Sequence, residues 1–182
     1  AVMKAINTRY AGHFFRSRLE ARWAVAFDAA NILWDYEPEG FDLGSAGCYL
    51  PDFWLPQVNM WAEVKGNLPT INEQRKAHSL ASQSNHPVLF LVGKPHYGFF
   101  WAIQPLNDKW GWNYRLDDGT KTKIMNYEIF GHYYHLTEQR FYMNAGYGAE
   151  EFPFPNPGTP RYSVICNLDP VAKALSARFE HH

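Results

Sequence analysis

"YLPDFWLPQVNMWAEVKG", residues 49–66, decides how this chain is read. The runs CYLPDFWL (48–55) and MWAEVKG (60–66) are apolar and strand-like, and PQVN between them has turn composition, so the stretch predicts a β-hairpin. Yet it carries Asp52, Glu63 and Lys65. Alternate side chains of a strand share a face, so Trp61, Glu63 and Lys65 point one way while Met60, Ala62 and Val64 point into the core. A hairpin of this length sets Asp52 across from Glu63. Two carboxylates about 4 Å apart repel by about 4 kcal/mol at an effective dielectric near 20, so a positive charge is expected between them. Lys65 is one candidate. A magnesium ion is another, because it binds through one or two carboxylates and keeps its other positions for water and phosphate.

Upstream, SRLEARWAVAFDAANIL (17–33) predicts a helix, with Ser17 at the N-cap and Glu20 three residues on, as in a capping box. Glu20, Trp23, Ala24 and Phe27 fall on one stripe, so Glu20 is expected to face the sheet and approach the Asp52 and Glu63 cluster, whereas Asp28 faces solvent. A carboxylate returned to Ser17 as a cap is the competing reading of Glu20. WDYEPEGFDL (34–43), with Pro38 and Gly40, reads as a bent or edge strand that completes a three-strand meander. Downstream, LPTINEQRKAHSLASQS (68–84) predicts a second helix starting at Pro69-Thr70, and PVLFLVG (87–93) a strand covered on both faces. The order helix, three strands, helix, buried strand predicts an α/β sandwich around a mixed sheet, since a helical crossover permits a parallel pairing.

These residues carry a resemblance. Glu20 in RSRLEARWA, Pro51-Asp52 in LPDFW and Glu63-Val64-Lys65 in WAEVKG resemble the PD-(D/E)XK nuclease superfamily, over roughly residues 13–95, with phage and mobile-element enzymes the most similar in feel. The resemblance implies a restriction-endonuclease-like core over residues 1–95, a mixed central sheet flanked by helices. It implies a metal-dependent endodeoxyribonuclease in which Asp52, Glu63 and the Val64 backbone carbonyl hold Mg²⁺, or Mn²⁺ in its place. Glu20 would bind that ion through water or hold a second one, and Lys65 would orient or deprotonate the attacking water. DNA is the implied partner, with Gln74 or Lys76 of the second helix as phosphate contacts, a homodimer or other homo-oligomer as a possible assembly, and a bacterial or phage-infected cytoplasm as the setting. The competing reading from another class is a catalytically silent nucleic-acid-binding or assembly protein on the same fold, and an RNA-directed enzyme is a third.

Arg16, Arg18 and Arg22 form a basic run that reaches DNA backbone or is simply a wet helix face. At 182 residues and a net charge of −1 the chain suits one core and argues against coating nucleic acid by bulk charge. No run is apolar for long enough to cross a bilayer, and AVMKAINTRYAGHFF has no signal-peptide pattern, so a soluble cytosolic protein is expected. Cys48 and Cys166 are read as reduced thiols, and His181-His182 as a tag remnant or native sequence without a role. Residues 96–182 read as an aromatic-rich extension packed on the core, with a Gly/Pro-rich connector at 146–160 and a closing helix at 170–182. Within it, Trp101, Trp110, Trp112, Tyr114, Tyr133 and Tyr134 are expected in the core rather than as base-stacking platforms, and His132 and His135 as structural residues.

Overall fold

Ser17 opens the first helix as its spacing predicts: its Oγ accepts from the Glu20 N–H, and α1 runs Arg18–Ala29. The helix stops four residues before the apolar pattern does. Asn31 is left-handed (φ 52), the Asn31 N–H donates to Asp28 O, and the Ile32 N–H donates to Phe27 O at 2.8 Å. That pair of bonds is a Schellman ending, and it turns Ile32 back onto the core beside Phe27.

The computed structural model describes residues 6–135, 138–145, 162–165 and 169–179; at Glu128 and in the strands beyond Phe130 it is the backbone pairing that is described. A hairpin of β1 (Thr8–Tyr10) and β2 (His13–Phe15) precedes α1. After α1 come β3 (Asp35–Tyr36), β4 (Phe41–Asp42), β5 (Cys48–Tyr49), β6 (Phe53–Leu55), β7 (Met60–Lys65), α2 (Ile71–Ser84) and β8 (Val88–Val92). Then follow β9 (Phe99–Gln104), β10 (Trp112–Arg115), β11 (Lys121–His135), β12 (Glu138–Ala145), β13 (Tyr162–Ile165) and α3 (Pro170–Ser176).

The expected meander forms as β3, β6 and β7, all antiparallel, and α2 carries the chain across so that β8 lies parallel to β7. The sheet continues through β9 and β11 to β12 and β13, nine strands among the described residues with β10 paired to β11. The protein is therefore α/β with a mixed sheet.

Period-two alternation sorts the two faces. Met60, Ala62 and Val64 of β7 and Leu89 and Leu91 of β8 pack under α1 with Trp23, Phe27 and Phe53. Trp61, Val88 and Phe90 pack under Ala77, Leu80 and Ala81 of α2. The face of β7 that bears Glu63 is thus roofed by a helix, and its Trp61 is as buried as the residues on the other side.

Four expectations need correction. CYLPDFWL is two strands: β5 pairs with β4 in a separate ribbon, and the chain breaks at Leu50–Asp52, where Pro51 has no N–H to give a ladder. WDYEPEGFDL likewise divides at Pro38–Gly40 into β3, at the sheet edge, and β4. The closing helix ends at Ser176, because Arg22 Nη1 donates to the carbonyls of Ala174 (2.7 Å), Leu175 (3.0 Å) and Ala177 (3.3 Å). Finally, Trp112 and Tyr114 are exposed on β10, while Trp101 packs against Phe90 as expected. The side chains of Tyr133, Tyr134, His132 and His135, together with Cys166, His181-His182 and the connector at 146–160, lie outside the described residues. No helix among the described residues is long and apolar enough to cross a membrane.

Arg22 is a fastener between α1 and α3, and this has a measurable consequence. Hydrogen bonds from a charged donor contribute about 1.5–3 kcal/mol. Arg22→Leu is expected to lower the urea unfolding free energy by about that much while leaving any nucleic-acid affinity unchanged; an unchanged midpoint with weakened DNA binding would assign Arg22 to the surface instead.

Candidate active site

Asp52 and Glu63 meet where β6 begins and β7 ends. Phe53 pairs with Ala62, so one step further along the register Asp52 stands opposite Glu63, as the sequence predicts. Both are buried, at 6% and 5% exposure, which is rare for acids without partners. Their partners are specific. The Asp52 N–H donates to Glu63 Oε2 (3.3 Å), the Val64 N–H donates to Asp52 Oδ2 (2.8 Å), and Lys65 Nζ lies 2.8 Å from Glu63 Oε1. Tyr49, on the β4–β5 ribbon, lines the same cleft, and its hydroxyl acts on the Glu63 carboxylate.

The electrostatics follow from burial. Desolvation, then the charge of Glu63 and then that of Glu20, hold the Asp52 carboxyl well above the usual range, against the Val64 N–H and Lys65. Burial raises Glu63 as well, with Lys65, Tyr49 and the Asp52 N–H offsetting part of it. Burial alone would lower the Lys65 ammonium, but Glu63 and Glu73 together reverse the sign and raise it.

The backbone of β7 points alternately to its two neighbours. The Trp61 N–H donates to Pro87 O and the Lys65 carbonyl accepts from the Gly93 N–H, so odd-numbered residues of β7 turn their backbone groups to β8 and even-numbered ones to β6. The register of β6 with β7 ends at the Phe53 and Ala62 pair, two residues short of Val64. Past that pair Pro51 has no N–H to offer β7, and the Val64 N–H turns to the Asp52 side chain. Val64 and the two carboxylates lie together at this strand end. They open on a cleft of about 780 Å³ lined also by Arg16, Glu20, Tyr49 and Lys65.

The remaining expected residues divide. Glu20 is buried and lines the cleft, and its charge is felt at Asp52. Its oxygens are occupied locally, however: Oε1 accepts from Ser17 Oγ (2.6 Å) and Oε2 from Tyr36 Oη (2.6 Å) and the Arg16 N–H (3.2 Å). Among the described residues no group of three or more His, Cys, Asp and Glu side chains converges to hold a metal ion as arranged. What is assembled is a pair of carboxylates, and such a pair could hold magnesium, which needs one or two protein carboxylates and fills the rest with water.

Arg16 reaches the cleft, ion-paired to Glu37 with Nη2 3.9 Å from Asp52 Oδ1. Arg18 instead lines a groove with Arg22, Ala177, Arg178 and Phe179. Gln74 Nε2 donates to Pro69 O and Lys76 Nζ to Cys48 O, the latter at 3.4 Å at the cleft margin. Sequence reasoning missed Tyr36, Tyr49 and Glu37, whose ties cross long separations. It also missed Glu73, on the first turn of α2, which ion-pairs Lys65 at 2.9 Å.

Comparison with protein-family models, with curated proteins and with solved structures finds no match to this chain.

An acid whose folded pKa is raised binds its proton more tightly when folded, so stability falls as pH climbs through the window above the unfolded value of about 3.9. Asp52 has this sign. Asp52→Asn keeps an acceptor for Val64 and removes the charge. It is expected to raise Tm at pH 8, with the gain shrinking toward pH 4. Thermal scans from pH 4 to 8 check this, and a variant less stable than wild type at pH 8 would refute it.

Proposed function

We propose that the chain is a metal-dependent endodeoxyribonuclease of PD-(D/E)XK type, with a restriction-endonuclease-like core. One observation carries the reading: Asp52 and Glu63 are buried side by side at the end of β7, with the Val64 N–H on Asp52, Lys65 on Glu63 and an open cleft in front. Buried like charges destabilise a fold and persist where the charge is used.

In this reading Asp52, Glu63 and the Val64 carbonyl hold Mg²⁺, with Mn²⁺ as a substitute. The ion, when bound, supplies neutralisation of the scissile phosphate and a lowered pKa for an attached water. The protein's own groups do the rest. The Lys65 ammonium, more than four-fifths shielded from solvent, orients the attacking water and stabilises charge that develops at the phosphate. Arg16, whose side chain is 59% exposed at the cleft, takes a neighbouring backbone phosphate, because guanidinium matches phosphate in a bidentate fork. Glu20, clamped by Ser17 and Tyr36, shapes the cleft wall and adds negative potential at Asp52.

The test is incubation with supercoiled plasmid, linear duplex, single-stranded DNA and RNA, each with Mg²⁺, Mn²⁺ or EDTA. Cleavage is expected on DNA with metal only, and Asp52→Ala, Glu63→Ala and Lys65→Ala should each lower its rate by about 10²-fold or more. A divalent ion at about 100 times its Kd should stabilise wild type by about 2.7 kcal/mol and Asp52→Ala not at all. Undiminished metal-dependent cleavage in all three variants sinks the assignment. DNA binding without cleavage, indifferent to EDTA, would mark a silent binding protein on the same fold.

A further inference from the structure

Lys65 is held at two points. Its Nζ lies 2.8 Å from Glu63 Oε1 on its own strand and 2.9 Å from Glu73 Oε1 on the first turn of α2. Glu73 in turn is not free to swing. Its Oε2 accepts from the Thr70 N–H at 2.7 Å, and its own N–H donates to Thr70 Oγ1 at 3.3 Å, the two bonds of a capping box. Behind it α2 is locked to the sheet through Ala77, Leu80 and Ala81.

We propose that Glu73 is the positioning residue for Lys65, so that the capping box opening α2 fixes the ammonium at the site as well as starting the helix. The inference rests on the nuclease reading above. A lysine on a four-carbon stem with one ion-pair partner pivots about that partner; a second acceptor on a different element fixes where Nζ stands. Glu63 has another task in the proposed chemistry, as a metal ligand, whereas Glu73 has none and stays with Lys65 throughout. The geometry also uses each oxygen of Glu73 once, one for the helix and one for the lysine. The polar neighbours on the same helix are committed elsewhere, Gln74 to Pro69 O and Lys76 to Cys48 O.

Two substitutions separate positioning from helix stability. Glu73→Gln preserves a capping box, since glutamine serves at that position, and removes the charge that faces Lys65. Thr70→Ala weakens the cap and leaves the Glu73 carboxylate and its backbone partner in place. Cleavage would be measured at saturating DNA and Mg²⁺, with labelling of Lys65 by an amine-acetylating reagent, read by mass spectrometry without metal or DNA, as the second readout.

Glu73→Gln is expected to lower kcat by about 10- to 100-fold, with KM within about twofold, Tm nearly unchanged and Lys65 acetylated several times faster. Thr70→Ala is expected to lower Tm with kcat within about threefold. Wild-type kcat and labelling in Glu73→Gln, beside an inactive Lys65→Ala, overturn this proposal alone. Equal losses of kcat in both variants also overturn it, by tracing the effect to the helix. If Lys65→Ala itself cleaves like wild type, the nuclease reading falls and this one with it.

Discussion

The constraint on which this structure turns is that two carboxylates are buried together at the end of a central strand. Nothing in the packing of β7 requires it: Met60, Ala62 and Val64 complete one core layer and Trp61 the other. The acids could be replaced by apolar residues with a gain in stability, as buried ion pairs often can. Instead the surroundings are organised around them. Lys65, the Val64 N–H, the Asp52 N–H, Tyr49 and Arg16 all direct positive or donor groups at the pair, and the pKa of Asp52 still stays raised. Donors sufficient to hold the acids but insufficient to neutralise them leave Asp52 holding its proton more tightly than a free carboxylate does.

Much of this arrangement is legible in the sequence because it depends on short-range rules. The pairing of Asp52 with Glu63 follows from hairpin register, the faces of β7 from period two, and the starts of α1 and α2 from Ser17 and Thr70. Illegible parts have a common cause: their partners lie far off in sequence. Tyr36 reaches Glu20 across sixteen positions, and Arg22 reaches Ala174 across 152. The end of α1 was hidden differently. Ile32 and Leu33 continue the apolar run, yet Asn31 takes the left-handed conformation that closes the helix, and Ile32 is buried by the turn instead of by the helix. At Pro51 the apolar pattern conceals a break, because hydropathy does not register a missing N–H.

Glu20 shows why one residue type can satisfy two readings at once. Its backbone N–H meets Ser17, as a cap acid's does, and its carboxylate lines the cleft. With Tyr36 and the Ser17 hydroxyl each donating at 2.6 Å, the side chain is fixed in position and oriented by neighbours. A residue so held acts on the pair through its field, and Asp52 registers that field directly.

Chain direction explains why the second helix serves the same site. Because β8 runs parallel to β7, the connection must cross over and α2 must run back along the sheet, which sets its N-terminus at the carboxyl end of β7. The carboxyl ends of strands are where α/β sheets gather ligands, since both the loops and the positive ends of the helix dipoles converge there. Here the first turn of α2 receives Glu73, which the dipole favours, and Glu73 then presents its free oxygen to Lys65. The antiparallel β6 contributes the opposite polarity: its N-terminal end arrives at the same place, bringing Pro51 and Asp52. One parallel and one antiparallel neighbour on either side of β7 thus bring a helix start and a strand start to a single strand end. A purely antiparallel meander would have supplied the acids without the helix that steadies the lysine.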